Sequence, residues 1–442
     1  FDGSTARLKF LNTSPVTEFK TTDSILTSGK TYKLTVDIAL ATSGGVKVDG
    51  NGISETFNSV GVNERIITPT GNAPLTFYRA TANVDLTFNS VSVKEVTRDN
   101  VPRIDYTGGG CPHILAEPQR TNEYKESTNI DNWTFSNATG TSNYSVSPDG
   151  TQNASRLLFS GSGYAFRGLA QLSGVEYTVS VYAKRNDSGT QSFGFFVNGS
   201  GAIDSQLNIT SEWKRFTYTY TTTNTYETGL AGDSGADISF YGYQKEQGSY
   251  ATSLIPTSGS TVTRNQDIFT RDGIGSLINS TEGTFFAEIA SLSDDGTNRG
   301  LSLSDGTNSN RILIYYTPTS NQIVSLYTYG GSTQVAITHT LSDSTEFIKC
   351  AFKFKENDCA FWINGVEVGT DTSTTAFSAN TLNDLNFDSG VGGSPFHGKV
   401  KQLQVYKTAL TDEQLLQLTG ESGTDFYESY AEMASALTYT IQ

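Results

Sequence analysis

An all-β fold built from tandem β-sandwich (jelly-roll) domains follows from three features of this sequence. Short runs alternate apolar and polar residues, as in Tyr32-Lys33-Leu34-Thr35-Val36-Asp37-Ile38 and Ile348-Lys349-Cys350-Ala351-Phe352-Lys353-Phe354, which is the period of a strand with one buried face. Gly-Gly, Asp-Gly and Asn-Gly pairs punctuate these runs at short spacing. Phe and Tyr number 25 and 22 against a single Met, and aromatic and β-branched residues favour strands. A chain of 442 residues has room for about three domains of roughly 100–200 residues, each large enough to bury its own core.

Residues 1–97 read as the first sandwich, with strands at Tyr32–Ile38 and Leu86–Val93 and turns at Gly44-Gly45 and Asp49-Gly50. Phe1-Asp2-Gly3 already reads as mid-domain sequence, so a segment N-terminal to Phe1 is expected. Residues 98–122 differ: three prolines and the Gly108-Gly109-Gly110 triplet mark a connector, and its apolar Ile104, Tyr106, Ile114 and Leu115 are expected to be buried on a neighbour. Residues 123–263 form a second alternating block. There Leu172-Ser173-Gly174-Val175-Glu176-Tyr177 echoes the run from Leu26 to Tyr32, each a turn followed by a strand that starts at Tyr, so the first two domains are expected to share a fold. Residues 264–420 form the third block. Asn364-Gly365 supplies the positive φ angles of a two-residue hairpin turn. Thr411 is a helix N-cap for Asp412 to Leu418, with acids in the first turn. Residues 421–442 are left as a C-terminal tail.

The formal charge of −15 and pI near 4.7 argue against a nucleic-acid backbone or an anionic membrane as partner. No run of about 18 apolar residues is present, so no membrane insertion by a helix is expected. Cys111, Cys350 and Cys359 do not make a disulfide framework. A turn at Lys355–Asp358 sets Phe354 opposite Cys359 and Cys350 opposite Ile363, so both thiols are expected free and buried, as in a protein assembled in a reducing cytoplasm.

Three stretches carry a resemblance. The connector, Val101-Pro102-Arg103-Ile104-Asp105-Tyr106 continuing to Leu115-Ala116-Glu117-Pro118-Gln119-Arg120-Thr121-Asn122, resembles a segment of bacteriophage tail and other virion proteins, with Ala116 where an aliphatic residue is usual. Gln244 to Thr257, ending in Val262-Thr263-Arg264, is similar to the end of the jelly-roll module of those proteins, with Leu254 where an aromatic is common, and Glu212-Trp213-Lys214-Arg215-Phe216 fits carbohydrate-binding-module jelly rolls. Phe396 to Tyr406, then Ala409-Leu410-Thr411, resembles laminin-G-like, concanavalin A-type lectin domains. Phe426-Tyr427-Glu428-Ser429-Tyr430 also looks like the ending of such phage proteins. The resemblance implies a virion surface or tail-fibre protein, made in the host bacterial cytoplasm, that binds host-surface polysaccharide. It implies other virion proteins as neighbours and a homo-oligomer, a trimer as in many fibres. A purely structural capsid or tail decoration, and an extracellular adhesin or the accessory modules of a larger enzyme, stand as alternatives.

No enzyme signature accompanies this reading. His113, His339 and His397 are the only histidines, no Gly-x-Ser-x-Gly elbow occurs, and no carboxylate pair has the spacing that glycoside hydrolysis needs. Sugar recognition needs exposed aromatic faces beside polar groups. Candidates are Tyr164 with Phe166 and Arg167, Tyr241 and Tyr243 in the second domain, and Tyr315, Tyr316, Tyr327 and Tyr329 in the third, with one ring of Tyr315-Tyr316 facing outward. Both resembled families often bind calcium, and Asp149, in Ser147-Pro148-Asp149-Gly150-Thr151, is the candidate Ca²⁺ ligand, an ordinary Pro-Asp-Gly turn being the alternative.

Overall fold

The structure, a computed structural model, describes residues 6–10, 18–28, 30–96, 102–106, 112–167, 171–197, 199, 202–223, 225 and 227–420. Cys111, the glycine triplet and the 421–442 tail lie outside the described residues. The chain is all-β. Strands dominate, and the one α-helix among the described residues is α1 (Asp412–Thr419). Contacts divide the chain into two compact units, Phe1–Arg98 and Asp99–Gln442.

The first unit contains β1 (Ala6–Phe10), β2 (Glu18–Lys20), β3 (Tyr32–Ser43), β4 (Val46–Gly50), β5 (Ile53–Phe57), β6 (Gly61–Ile67), β7 (Thr76–Arg79) and β8 (Val84–Glu95). They form two four-stranded sheets, ordered β1-β8-β3-β6 and β2-β7-β4-β5. The period-two pattern decides which side is buried: Leu34, Val36 and Ile38 of β3 are fully inaccessible, and with Val46, Phe57, Phe77 and Leu86 they fill the space between the sheets. The β4–β5 hairpin turns through Asn51-Gly52, both with positive φ (50° and 78°), as a primed turn requires.

The second unit opens with three short strands, β9 (Arg103–Asp105), β10 (His113–Ala116) and β11 (Arg120–Asn122). A second sandwich follows: β12 (Thr134–Val146), β13 (Gln152–Phe166), β14 (Glu176–Arg185), β15 (Phe193–Phe196), β16 (Ser205–Gln206), β17 (Lys214–Thr221), β18 (Gly229–Gly232) and β19 (Asp237–Gln247). β13 serves both layers, pairing β19 through Ser155–Leu158 and β18 through Gly163–Phe166. One layer therefore runs β13-β19-β14-β17 and the other β13-β18-β15-β16, the same two orders as the first unit once β13 stands for β1 and β2. The echoing turns are built alike. The Tyr32 hydroxyl accepts a hydrogen bond from Thr27 N (2.9 Å) and the Tyr177 hydroxyl one from Leu172 N (3.2 Å), each five residues upstream.

β20 (Val262–Arg264) pairs β11 in a separate two-stranded sheet, and the third sandwich is made by β21 (Thr270–Arg271), β22 (Glu282–Ser291), β23 (Arg299–Ser304), β24 (Arg311–Tyr316), β25 (Gln322–Tyr329), β26 (Ser332–Thr340), β27 (Ile348–Lys355), β28 (Cys359–Ile363), β29 (Val366–Asp371), β30 (Asp384–Asn386) and β31 (Gly398–Tyr406). A six-stranded sheet, β21-β30-β23-β24-β25-β26, faces a seven-stranded one, β29-β28-β27-β22-β31-β10-β9. α1 covers the outside of the larger sheet, placing Leu415 and Leu418 against Phe286, Ala351, Ala360 and Trp362. A capping box starts it: Thr411 Oγ1 accepts from Gln414 N, and the Gln414 side chain accepts from Thr411 N. Cys350 pairs opposite Ile363, as the turn arithmetic requires, and both Cys350 and Cys359 are free and buried.

The larger sheet is completed by strands that precede the second sandwich in sequence, because β10 pairs β31 (Ile114↔Val400) and β9 pairs β10. Buried charges reinforce this junction. Glu117, 3% exposed, is ion-paired with Arg103 (2.5 Å) and Arg264 (3.0 Å), and its other oxygen accepts from Ser253 N (2.8 Å). Asp267 pairs with Arg103 and accepts from Glu117 N (2.8 Å). Nearby, Arg120 lies over the Tyr250 ring (5.1 Å), Ser249 bonds Ser293 (3.0 Å), and Arg299 of β23 holds Asp295 through two bonds of 2.6 and 2.7 Å. Ile104 and Tyr106 correct an expectation: they are 45% and 75% exposed. β9 is a sheet edge, and it turns Arg103 toward the ion pairs and Asp105 toward His113 (3.6 Å), which leaves its apolar residues outside.

Candidate functional site

Outward-facing residues of the second sandwich's β17-β14-β19 layer form its most ligand-like surface. One half of this face is roofed. Thr178 donates to Gly248 O (2.7 Å) and Arg215 to Thr252 O (2.6 Å), so the chain after β19 buries Thr178, Ser180, Gln244 and Glu246. The other half is open. There Tyr182 of β14 stands between Arg215 of β17 and Tyr241 of β19 as direct cross-strand neighbours. The Arg215 guanidinium sits 5.5 Å from the Tyr182 ring centre, and Lys184 Nζ 5.1 Å from that of Trp213. Trp213 is pinned by its indole N–H, which donates to Val146 O (3.1 Å). Two part-buried rings, Trp213 and Tyr182, thus line an open strip beside cations, with Tyr241 (8% exposed) buried next to them.

The Ser147–Thr151 turn walls this strip. Asp149 accepts five hydrogen bonds: from Ser147 Oγ (2.8 Å), Thr151 N (2.7 Å) and Thr151 Oγ1 (2.6 Å) on one oxygen, and from Asn153 Nδ2 (2.9 Å) and Tyr241 Oη (2.8 Å) on the other. Those donors, the threonine hydroxyl first, hold the carboxyl well below its usual range. The Tyr241 phenol is pushed up to about 12 by burial and by its bond to Asp149. A calcium ion needs free oxygen lone pairs. Asp149 has spent its own on donors, so the turn does not fit that ion. Among the described residues no group of three or more His, Cys, Asp or Glu is placed to hold a metal.

On the opposite layer of the same sandwich, Tyr164, Phe166 and Phe196 form an aromatic cluster with ring centres 5.5–6.0 Å apart. Gly229 lets it lie close, since a Cβ there would meet Phe196 Cε1 at 2.9 Å and Phe166 Cβ at 2.6 Å. Arg167 follows, its backbone N–H held by the Tyr124 hydroxyl, with Glu227 near enough for its charge to be felt.

Of the residues nominated from sequence, Tyr164 and Arg167 come together here, and Tyr241 and Asp149 come together on the first face. Four nominations are corrected, the first being Tyr241, which is 8% exposed with its hydroxyl tied to Asp149. Tyr243 is fully buried among Tyr124, Trp133 and Phe195, because Gly242 (φ 67°) interrupts the alternation of β19 and turns Tyr243 into the core. Tyr316 and Tyr327 are each 3% exposed and pack inside the third sandwich, and Tyr315 is the half-buried ring beside Tyr316. Tyr329 is half-buried against Phe377 (5.8 Å). Trp213, Tyr182 and Phe196 were missed. The Glu212-Trp213-Lys214 run marked a strand start, and Tyr182 is the outward position of a strand whose inward ones are Val179 and Val181.

Residues 263–416 match a family model described as the concanavalin A-like lectin/glucanases superfamily. No curated protein sequence matches the chain. Among solved structures, it is similar to the carbohydrate-binding module of the Ruminococcus gnavus IT-sialidase bound to alpha2,3 sialyllactose (19% identity, 33% of this chain and 86% of that one, TM-score 0.29). It is also similar to the leech intramolecular trans-sialidase (22% identity, 34% of this chain and 25% of that one, TM-score 0.28) and to the SAP-like pentraxin of Limulus polyphemus (14%, 31% and 70%, TM-score 0.26).

Proposed function

We propose that this chain binds glycans without cleaving them, as part of a bacteriophage virion surface or tail fibre that attaches to host-cell polysaccharide. The observation that carries the binding reading is the open strip of Trp213 and Tyr182, walled by the Asp149 turn and flanked by Arg215 and Lys184. Aromatic faces cover the C–H patches of a sugar ring, and fixed cations and hydroxyls take its hydroxyl groups. A strip so open buries little of a ligand, so each site is weak, on the order of millimolar. Many copies on a particle would raise avidity by roughly 10²–10⁴ without new contacts, which suits a homo-oligomeric fibre. The virion setting rests on the resemblance of the 101–122 and 244–264 stretches, whose Arg103, Glu117, Arg120 and Arg264 supply the buried ion pairs of the junction.

The test is binding of the intact chain to host-cell envelopes and to a glycan array, beside Trp213→Ala and Tyr182→Ala. Each substitution is expected to weaken binding about tenfold, the worth of one stacked ring. Unchanged binding in both variants would sink the site, and no binding by the parent chain would leave the decoration reading in its place.

A further inference from the structure

The first unit holds a hollow of about 450 Å³ lined by Lys47, Asp49, Gly50, Tyr78 and Arg79, within the roughly 300–1,000 Å³ range of small-molecule sites. It lies on the outer face of the β2-β7-β4-β5 sheet, since Val48 and Phe77 point into the core and their neighbours Lys47, Asp49 and Tyr78 point away. Register puts the Tyr78 ring at its centre: Glu18 is directly opposite on β2 and Lys47 directly opposite on β4. Lys47 Nζ bonds Asp49 Oδ2 at 2.5 Å with both side chains more than a third exposed, and Lys20 bonds Glu18 at 3.3 Å. Gly50, φ 106° with nothing within 4 Å of a Cβ, keeps the rim open.

The shared strand orders give this place a counterpart. Phe77 of β7 corresponds to Leu230 of β18, both core residues of the second strand in their sheet orders, and Phe19 of β2 to Ala165 of β13. Glu18 and Lys20 therefore occupy the positions of Tyr164 and Phe166, Lys47 that of Gly194, and Asp49 that of Phe196. The same face carries an aromatic cluster over glycine in one sandwich, and one tyrosine framed by ion-paired side chains in the other.

We infer that this face of the first unit is a second sugar site, which takes a neutral, hydroxyl-rich residue of the glycan. This rests on the glycan-binding reading above and extends it to a part of the chain without a nominated site. The Tyr78 ring covers the C–H side of a pyranose. Lys47 donates to, and Asp49 and Glu18 accept from, adjacent hydroxyls, a pattern that ion-paired side chains satisfy without a net charge on the sugar.

The experiment uses the full chain and saturation-transfer difference NMR with a panel of methyl glycosides of neutral hexoses and N-acetylhexosamines. The Trp213→Ala/Tyr182→Ala double variant is expected to keep part of the parent signal. Adding Tyr78→Ala is expected to lower that remainder about tenfold, and Tyr78→Phe, which keeps the ring, is expected to spare it. A remainder unmoved by Tyr78→Ala, or a double variant already silent beside a binding parent, overturns the second site and leaves the first. A silent parent overturns the glycan reading itself.

Discussion

His397, at the head of β31, is 8% exposed, and burial together with the nearby Arg299 and Arg120 guanidiniums pushes its imidazole down to about 4. A group whose folded pKa lies below its unfolded value of about 6.5 is neutral in the fold. Its contribution is therefore complete above pH 6.5 and is lost as pH falls toward 4. The lost stability is on the order of 3 kcal/mol. Thermal unfolding followed from pH 7 to pH 4 should show this loss in the parent, and His397→Gln should flatten it. An equally steep acid limb in the variant would remove His397 from the account. Glu117 lies in the same junction with two arginines against it. Glu117→Ala would leave Arg264 buried without its carboxylate, while Arg103 keeps Asp267, a change worth about 3–5 kcal/mol, to be read from denaturant melts. Residue identity was the least legible part of the candidate site. A strand tyrosine looks the same in sequence whether its ring is a platform or a core filler, and at Gly242 one bulge reversed the assignment for Tyr243.

At the scale of single elements, local chemistry was enough. Asn364-Gly365 (φ 48° and 79°), the Thr411 cap and the Tyr32 and Tyr177 turns are each specified within a few residues, and each stands where the sequence put it. β9 was the harder case. Its three residues carry no alternation strong enough to say whether Ile104 or Arg103 turns inward, and that is settled by Glu117 beyond the next strand and by Asp267, which lies far away in sequence. The pairing of β10 with β31 has a testable result. A fragment spanning residues 264–420 lacks β10 and leaves the Val400 strand as an open, apolar edge, a template for aggregation. It is expected to melt lower and scatter more light than a fragment spanning 99–420. Equal melting and monodispersity would show that β10 adds nothing.

For the molecule as a whole, the formal charge of −15 on 442 residues sets the field that a ligand meets. Neutral glycans should bind with little dependence on salt. Acidic polysaccharides should bind more tightly as ionic strength rises from about 0.01 to 0.15 M, because the screening length falls from roughly 30 to 8 Å and mutual repulsion fades. Affinity for an acidic polymer that instead drops with salt would mean a cationic patch dominates. The repetition of one sandwich plan in β1–β8 and β13–β19 was announced by a single echoed turn, whereas the closing of the third sandwich by earlier residues had no local signal, since pairing between distant strands leaves no mark on either one alone. That closure also sets a timetable. His113–Ala116 leaves the ribosome long before its partner Gly398–Tyr406 exists, and at roughly 5–20 residues per second the wait is on the order of tens of seconds. The entire second sandwich is synthesised and can fold during it, so β31 emerges to a neighbour already anchored, and docking it closes the larger sheet of the third sandwich.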